Sequence, residues 1–565
     1  MRLLSVDLNR ISESVGQRRI TVRMRFPRIA FLVAWTVSLA LPLVAQSTDG
    51  TINGRVVDPS NGVIVGADVL VINDVTGVEY SGKTNDDGIY VVPSLPPGPY
   101  RLQVSKVGFK TIIKPDIVLN VQDALSINFT LPVGAVFDTV TVEGGAPIVN
   151  TQSAAVSTVV DQQFTENLPL NGRSFQSLIL LAPGAITNNP QSGISVGSQG
   201  EFSINGQRTE SNYYMVDGVS ANLGFNPVTI APTGGTSASG SLPASTTLGS
   251  TQGLVSVDAL EEFRVNSSSY SAEYGRSPGG QFSFVTRSGA NEPHGTAFDY
   301  LRNNFFDAND WFNDYLGQPQ PALRQNDFGG TLGGPVEIPY LYNGKDKTFF
   351  FVSYEGLRLT QPEAATTSYV PTVALRQLAP SALQPVINAF PVPNCPSAAT
   401  NCTDDLGNGL GDFIGTWSNP SSINSVGVRF DHRIGERARL FFRFSQTTSD
   451  SAVRNGGQFN SPSVVNSSDF TTRTYTFGET NLFSGEVSND FRLNFSSNDG
   501  SFSSALDDFG GAEAVNLFAL QGFSNVTKPS PYVAVNLYFG SFFTGLMQSA
   551  STGEQKQFNL TDAVA

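Results

Sequence analysis

The sequence predicts a mainly β protein, and three observations carry that reading. Charged residues are 15% of the 565-residue chain, well under the usual ~25%. The difference is made up by Ser, Thr, Asn, Gln and 55 Gly, which suit turns and strands better than helices. Apolar side chains recur with period two in many segments, as strands with one apolar face require. Beyond residue 46 no apolar run reaches the ~20 residues of a membrane-spanning helix, so any insertion into a bilayer must use strands. An all-α protein is excluded, and the length leaves room for three or four units of ~150 residues.

Composition also narrows function. The net charge is 34 − 48 = −14, with no basic run after the first thirty residues, so nucleic acid is not expected as a partner. Two His (His294, His432) and two Cys cannot build an ordinary Cys/His zinc site or a repeated His-based catalytic centre. Asp307, Asn309 and Asp310 offer oxygen ligands but lack the Gly turn and distal Glu of a Ca²⁺ loop, and a solvated loop is the better reading. Gly329 to Gly334 lacks the following Lys of a phosphate loop and reads as a turn between long strands. No Ser/His/Asp set stands out. The expectation is transport or binding, with no enzyme activity, cofactor or metal.

At the N-terminus, the apolar run Ile29–Val44 follows Arg18, Arg19, Arg23, Arg25 and Arg28. Residues 1–45 read as a bacterial secretory signal cleaved near Ala45, with Met24 as an alternative start; the run is short for a membrane anchor. Export makes a local disulfide between Cys395 and Cys402 the favoured reading of that Pro/Asn/Ser-rich loop, a staple without catalytic role; two unpaired cysteines are the alternative.

Residues 47–132 alternate cleanly. Tyr100, Leu102 and Val104 oppose Arg101, Gln103 and Ser105, and turn signals at Pro59–Gly62, Asp86–Gly88 and Pro96–Pro99 space about seven strands of an antiparallel sandwich. Gly54-Arg55-Val56-Val57-Asp58, Thr84-Asn85-Asp86-Asp87-Gly88-Ile89-Tyr90 and Leu95-Pro96-Pro97-Gly98-Pro99-Tyr100 resemble the carboxypeptidase regulatory-like family. The resemblance implies a transthyretin/Ig-like β-sandwich, a fold grouped with carbohydrate-binding modules. Tyr90, Tyr100 and Phe109 are expected in core and turns rather than as a sugar-binding row.

Within residues 138–290, the β-prone run Asp138-Thr139-Val140-Thr141-Val142 precedes a flexible Gly/Pro segment, which suits addition to the edge of a partner's sheet. It resembles the TonB box. Phe202-Ser203-Ile204-Asn205-Gly206-Gln207-Arg208, Tyr213 to Val219, Val257 to Val265 and Tyr274 to Gly289 together resemble the plug domain of TonB-dependent receptors of the Oar-like type, which implies an α+β unit. Val216-Asp217-Gly218-Val219 reads as a strand–turn element with Gly218 free to take positive φ. Asn205 and Gly206 stand where the family often has an Arg-Gly pair, and Arg208 is the candidate for that Arg. Ser256–Val265 is expected as a short helix, capped by Ser256, leading into a strand. Residues 231–253, rich in Ser, Thr and Gly, read either as a ligand-touching plug loop or as an ordinary disordered one.

From residue 291 the strands lengthen and gain Phe. Phe491, Leu493 and Phe495 alternate with Asp490, Arg492 and Asn494; Val426, Val428 and Phe430 with Arg429 and Asp431; Leu440, Phe442 and Phe444 with Arg443; Thr296, Phe298 and Tyr300 open the series. One face suits lipid and the other a wet lumen, as in a transmembrane antiparallel β-barrel. With 360–425 read mostly as loop, residues 291–565 have room for about ten to twelve strands. The resemblance implies 22, so a partial barrel is expected, and the last residues, Asp562–Ala565, lack the terminal aromatic usual in such barrels.

The resemblance implies a receptor in the outer membrane of a Gram-negative-type bacterium, with sandwich and box in the periplasm. It would import a scarce extracellular substrate (siderophore, oligosaccharide or similar), energised by TonB and the inner-membrane complex that drives it. The alternative is a surface carbohydrate-binding or adhesion protein using the sandwich and barrel as scaffold.

Overall fold

The computed structural model describes residues 48–134, 139–141, 154–161, 164, 178–187, 202–224, 243–244, 246, 251–271, 274–395, 402–435, 437–483, 487–520, 532–539 and 542–564. The expected signal (1–45, with Met24 and Ala45), the box ends Asp138 and Val142, and most of 231–253 lie outside the described residues.

The sandwich contains β1 (Gly50–Val57), β2 (Asp68–Asn73), β3 (Glu79–Lys83), β4 (Ile89–Leu95), β5 (Gly98–Ser105), β6 (Thr111–Leu119), β7 (Ala124–Ser126) and β8 (Phe129–Thr130). One sheet has order β4-β1-β7, with β8 also on β1; the other runs β3-β2-β5-β6 and accepts β9 (Thr139–Thr141) on its β6 edge. Alternation places Val69, Val71, Tyr100, Leu102 and Val104 of one sheet against Ile52, Val56, Tyr90 and Leu95 of the other. Tyr90 and Tyr100 are fully buried, their hydroxyls donating to the Ile127 and Pro96 carbonyls at 2.7 Å each. The module is not wholly antiparallel as expected. After β6 the chain crosses between sheets, and β7 and β8 return parallel to β1.

The plug is built from β10 (Val156–Asp161), β11 (Ala185–Thr187), β12 (Phe202–Ile204), β13 (Tyr213–Val216), β14 (Val219–Ser220), β15 (Leu260–Ser268) and β16 (Gln281–Thr286). Its main sheet has order β10-β15-β16-β13-β14, and β11 pairs with β12. The central strand β16 is buried on both faces, and its Phe282 and Phe284 stack on Tyr214 and Phe263 at 4.5 and 5.2 Å. Ser256–Val265 leads into a strand as expected, beginning at Leu260, but the helix before it is only a 3₁₀ turn, Val257–Ala259, because residues from Leu260 are drawn into the ladder with β16. Ser256 makes no side-chain cap; its hydroxyl instead meets the Glu355 carboxylate.

Nine long and short strands form the wall: β17 (His294–Asn303), β18 (Arg324–Pro335), β21 (Thr348–Pro371), β22 (Leu410–Ile434), β23 (Ala438–Arg454), β24 (Val464–Leu482), β25 (Ser488–Leu506), β27 (Phe542–Val564) and β26 (Tyr532–Phe539), in that spatial order. A separate hairpin pairs β19 (Glu337–Ile338) with β20 (Tyr342–Asn343). Among the described residues the wall therefore has fewer strands than the ten to twelve expected, because single strands are longer than assumed. The β21–β22 ladder runs on to Pro371 and Leu410, well into the segment read as loop. Gly329–Gly334 is no turn either: it lies inside β18, where a Cβ on Gly329 would stand 2.3 Å from the Tyr354 carbonyl oxygen.

Cross-strand partners share a face of the sheet. One register row joins Val352, Val428, Phe444, Tyr475, Phe495 and Phe558, and another joins Phe350, Phe430, Phe442, Phe477, Leu493 and Leu560. These rows form an apolar outer band suited to lipid. Thr296, Phe298 and Tyr300 do not belong to it. They pair with Thr331, Gly329 and Asp327, on the face that meets the plug, because face is set by the neighbour's register and not by which residues are apolar.

Candidate functional site at the meeting of plug, sandwich and wall

An Asp-Gly pair between two strands favours a tight hairpin with both central residues at positive φ. Asp217 (φ 50°) and Gly218 (φ 81°) adopt that geometry between β13 and β14. The turn pushes the Asp217 carboxylate against the wall, where it is 4% exposed. Oδ1 accepts the Thr286 amide at 2.9 Å and Oδ2 the Thr286 hydroxyl at 2.9 Å. From the wall, the Arg443 Nε lies 3.1 Å from Oδ2, close enough for an ion pair though not aligned as a hydrogen bond, and an Arg429 nitrogen lies 3.4 Å from Oδ1. Burial pushes this carboxyl's pKa up, but Arg443, Arg429 and the Thr286 bonds outweigh it and hold it below the usual range.

Arg429 is shared. It also bonds Asp431 at 2.9 Å through two nitrogens, lies 4.7 Å over the Phe441 ring, and donates to the Thr286 carbonyl at 3.0 Å. Ser288 reaches Asp431 at 2.8 Å, and the Asn559 amide reaches the Ser220 carbonyl at 3.4 Å. The plug thus meets the wall largely through polar groups, bonds that water can replace at modest cost. A cavity of ≈ 180 Å³ beside the cluster is lined by Asp49, Tyr80, Asp217, Thr286, Arg429 and Arg439.

The sandwich closes the same end of the wall. Arg439 of β23 bonds Asp49 at 2.6 Å, Asn291 donates to the Thr76 carbonyl at 2.7 Å, and Arg433 to that of Glu79 at 3.1 Å. Its β6–β7 turn docks on the plug: the Val121 amide meets the Glu262 carboxyl group, Asp123 pairs with Arg264, and Gln122 donates to the Ser283 hydroxyl at 3.0 Å. Burial is the main cause that pushes the Glu262 pKa up to about 8, against the Val121 bond.

Of the residues singled out in the sequence, Asp217 and Gly218 stand at this centre. Asn205 (φ 51°) and Gly206 (φ 75°) form another turn, tied by the Asn205 amide to the Ser267 carbonyl at 2.9 Å. Arg208 is exposed beside it and takes no part in the Asp217 cluster. Thr139, Val140 and Thr141 of the expected box lie on β6. Cys395 and Cys402 are joined by a disulfide with Cα atoms 5.7 Å apart. Asp310 caps the helix Trp311–Tyr315 by accepting the Phe312 amide at 2.8 Å, and Asn309 bonds Asp314 at 2.7 Å, so these side chains serve loop geometry. Among the described residues no group of three or more His, Cys, Asp or Glu could hold a metal ion. Sequence reasoning missed Arg429 and Arg443 as partners. Their signal was present: each is a cation on the inner face of a strand whose other face is apolar.

Two family models match the chain: an outer membrane beta barrel domain over residues 285–565 and a carboxypeptidase regulatory-like domain over residues 51–132. The chain is 31% identical over 325 residues to the TonB-dependent transporter Oar of Myxococcus xanthus, an alignment covering 55% of this chain and 27% of that protein. The chain thus matches about a quarter of the length of this curated relative. Among solved structures, the outer membrane transporter YddB from Escherichia coli is similar at 11% identity and a TM-score of 0.41, over 73% of this chain and 54% of that one. BauA, the ferric preacinetobactin receptor from Acinetobacter baumannii, is similar at 12% identity and a TM-score of 0.33, over 73% and 60%.

Proposed function

The chain is a Gram-negative outer-membrane β-barrel protein with an N-terminal carboxypeptidase regulatory-like domain, homologous to the TonB-dependent transporter Oar, and from that premise we propose that it imports a scarce solute through a plugged barrel energised by TonB. The observation that carries the reading is the polar seating of the plug on the wall around Asp217. A plug buried by apolar packing would resist movement, whereas one held by hydrogen bonds and two arginines can shift as water takes their place. The extended run around Val140 would supply the strand that TonB's sheet takes up, and the pull would reach the plug through the segment leading to β10. The solute belongs to the class too large for porins, such as a ferric chelate or an oligosaccharide. No covalent chemistry is needed.

The test replaces Val140 by Pro in the full-length protein, which removes a backbone donor needed for strand addition. Uptake of a panel of ferric chelates and oligosaccharides is measured in cells lacking competing receptors, with and without the proton gradient. Uptake is expected to need both Val140 and the gradient. Gradient-dependent uptake unchanged by the substitution removes the box from the reading, and uptake indifferent to the gradient removes energised transport.

A further inference from the structure

The box strand is already paired. β9 lies parallel to the start of β6, with Thr111 opposite Thr139, Ile112 opposite Val140 and Ile113 opposite Thr141. The chain is steered there by an earlier contact. Phe109 and Val133 form an antiparallel bridge, the Lys110 amide donates to the Pro132 carbonyl at 2.9 Å, and the Gly134 amide to that of Gly108 at 3.1 Å. Only residues 135–138 separate this anchored point from β9, and so short a tether holds the strand near β6 at millimolar effective concentration. The sandwich is itself fixed to the plug through Asp123–Arg264 and Gln122–Ser283 and to the wall through Arg439–Asp49, so the β6 edge is a fixed station.

We propose that the β6 edge of the sandwich is the resting site of the box, so that the sandwich competes in cis with the partner sheet that takes the box in trans. The inference rests on the TonB reading for the identity of that partner, but not for the docking itself. The pairing is suited to exchange. It is three residues long, Val140 remains 37% exposed and Thr141 is exposed, so little apolar surface is lost when the strand leaves. A partner offering a longer ladder gains backbone bonds that β6 does not supply. While the box stays docked, β6 is also not left as a bare edge able to pair with other chains. If the docked form holds about nine-tenths of the molecules, apparent affinity for the partner falls about tenfold.

Two measurements on the full-length protein test this. In a protein carrying Ile113→Cys and Thr141→Cys, the in-register pair is expected to form a disulfide in the oxidising periplasm of cells without TonB, and the out-of-register pair Thr111→Cys with Thr141→Cys much less. Oxidation should weaken binding of the purified periplasmic domain of TonB at least tenfold, with recovery on reduction. Equal cross-linking of the two pairs, or none, overturns the docking. In hydrogen exchange on the wild type, adding the TonB domain should deprotect the segment around Thr111–Ile113 while Thr139–Thr141 stays protected. If the TonB domain binds and Thr111–Ile113 is unchanged, the competition is wrong. If cross-linking is in register but the domain does not bind at all, docking stands and the TonB reading is what has failed.

Discussion

Asp217→Asn is the sharpest perturbation of the plug seat, because it keeps the side chain's shape and removes its charge. Among the described residues Asp217 is the carboxylate paired with Arg443, whose side chain is 6% exposed, whereas Arg429 keeps Asp431 at 2.9 Å. The substitution therefore strands one buried guanidinium and leaves the other partnered. Breaking one side of a buried pair costs ~3–5 kcal/mol, and the amide can still accept from Thr286, so the lower end applies. About 3 kcal/mol is roughly a hundredfold in the equilibrium between seated and unseated plug. Hydrogen exchange in β13, β14 and β16 should accelerate by that order, and cells should admit an antibiotic too large for porins. Arg443→Met combined with Asp217→Asn should recover part of the loss, since neither charge is then left alone. Unchanged exchange in all three strands of a folded Asp217→Asn protein refutes the reasoning: the cluster would then be peripheral to the seating.

Other outcomes follow from the same contacts. Glu262, with its pKa raised to about 8, holds a proton in the docked state that it loses near 4.5 when exposed, so the sandwich–plug seam should weaken as pH rises from about 4.5 to 8 and level off above. Glu261, Arg264 and Asp123 are the charged neighbours, and Glu262→Gln should flatten the profile, read by exchange in the β6–β7 turn. The depressed Asp217 carboxyl has the opposite sign: its contribution is present at neutral pH and fades as pH falls through its lowered value, which plug exchange in acid will show. Gly329→Ala should impair wall assembly, because its Cβ meets a backbone oxygen that cannot turn aside, measured as loss of the heat-modifiable band on gels. Replacing both Cys395 and Cys402 by Ser should remove roughly 2–3 kcal/mol of loop constraint and expose that loop to protease, leaving the wall's heat-modifiable band intact.

The local rules carried far in this chain. Period two located the strands and assigned Phe491, Leu493 and Phe495 to the outer face, where the register rows place them. It failed where the decisive neighbour was distant. Phe298 looks lipid-facing by itself, yet its partner Gly329 puts it on the inner face. The glycines of β18 suggested a turn, but they leave room for closely approaching chain, a demand set by β17 and β21. The polar ends of β21 and β22 read as loop because strands that leave the apolar band no longer alternate in hydropathy, although their backbone ladder continues. Asp217 was legible as part of a turn. Its arginines, 212 and 226 residues further along, became partners only through the fold.

The length of those strands has a consequence for whatever arrives from outside. A tilted strand crosses the hydrocarbon layer in ~9–11 residues, whereas β21 has 24 and β22 has 25, with the apolar outer rows near the end that the sandwich covers. More than half of each strand therefore stands clear of the bilayer as a stave. An arriving solute would meet a hydrogen-bonded palisade already ordered before contact, with Arg358, Asp450, Asp469 and Asp499 on its outward face. The entropy of arranging such a rim is lost when the protein folds and not again at each encounter.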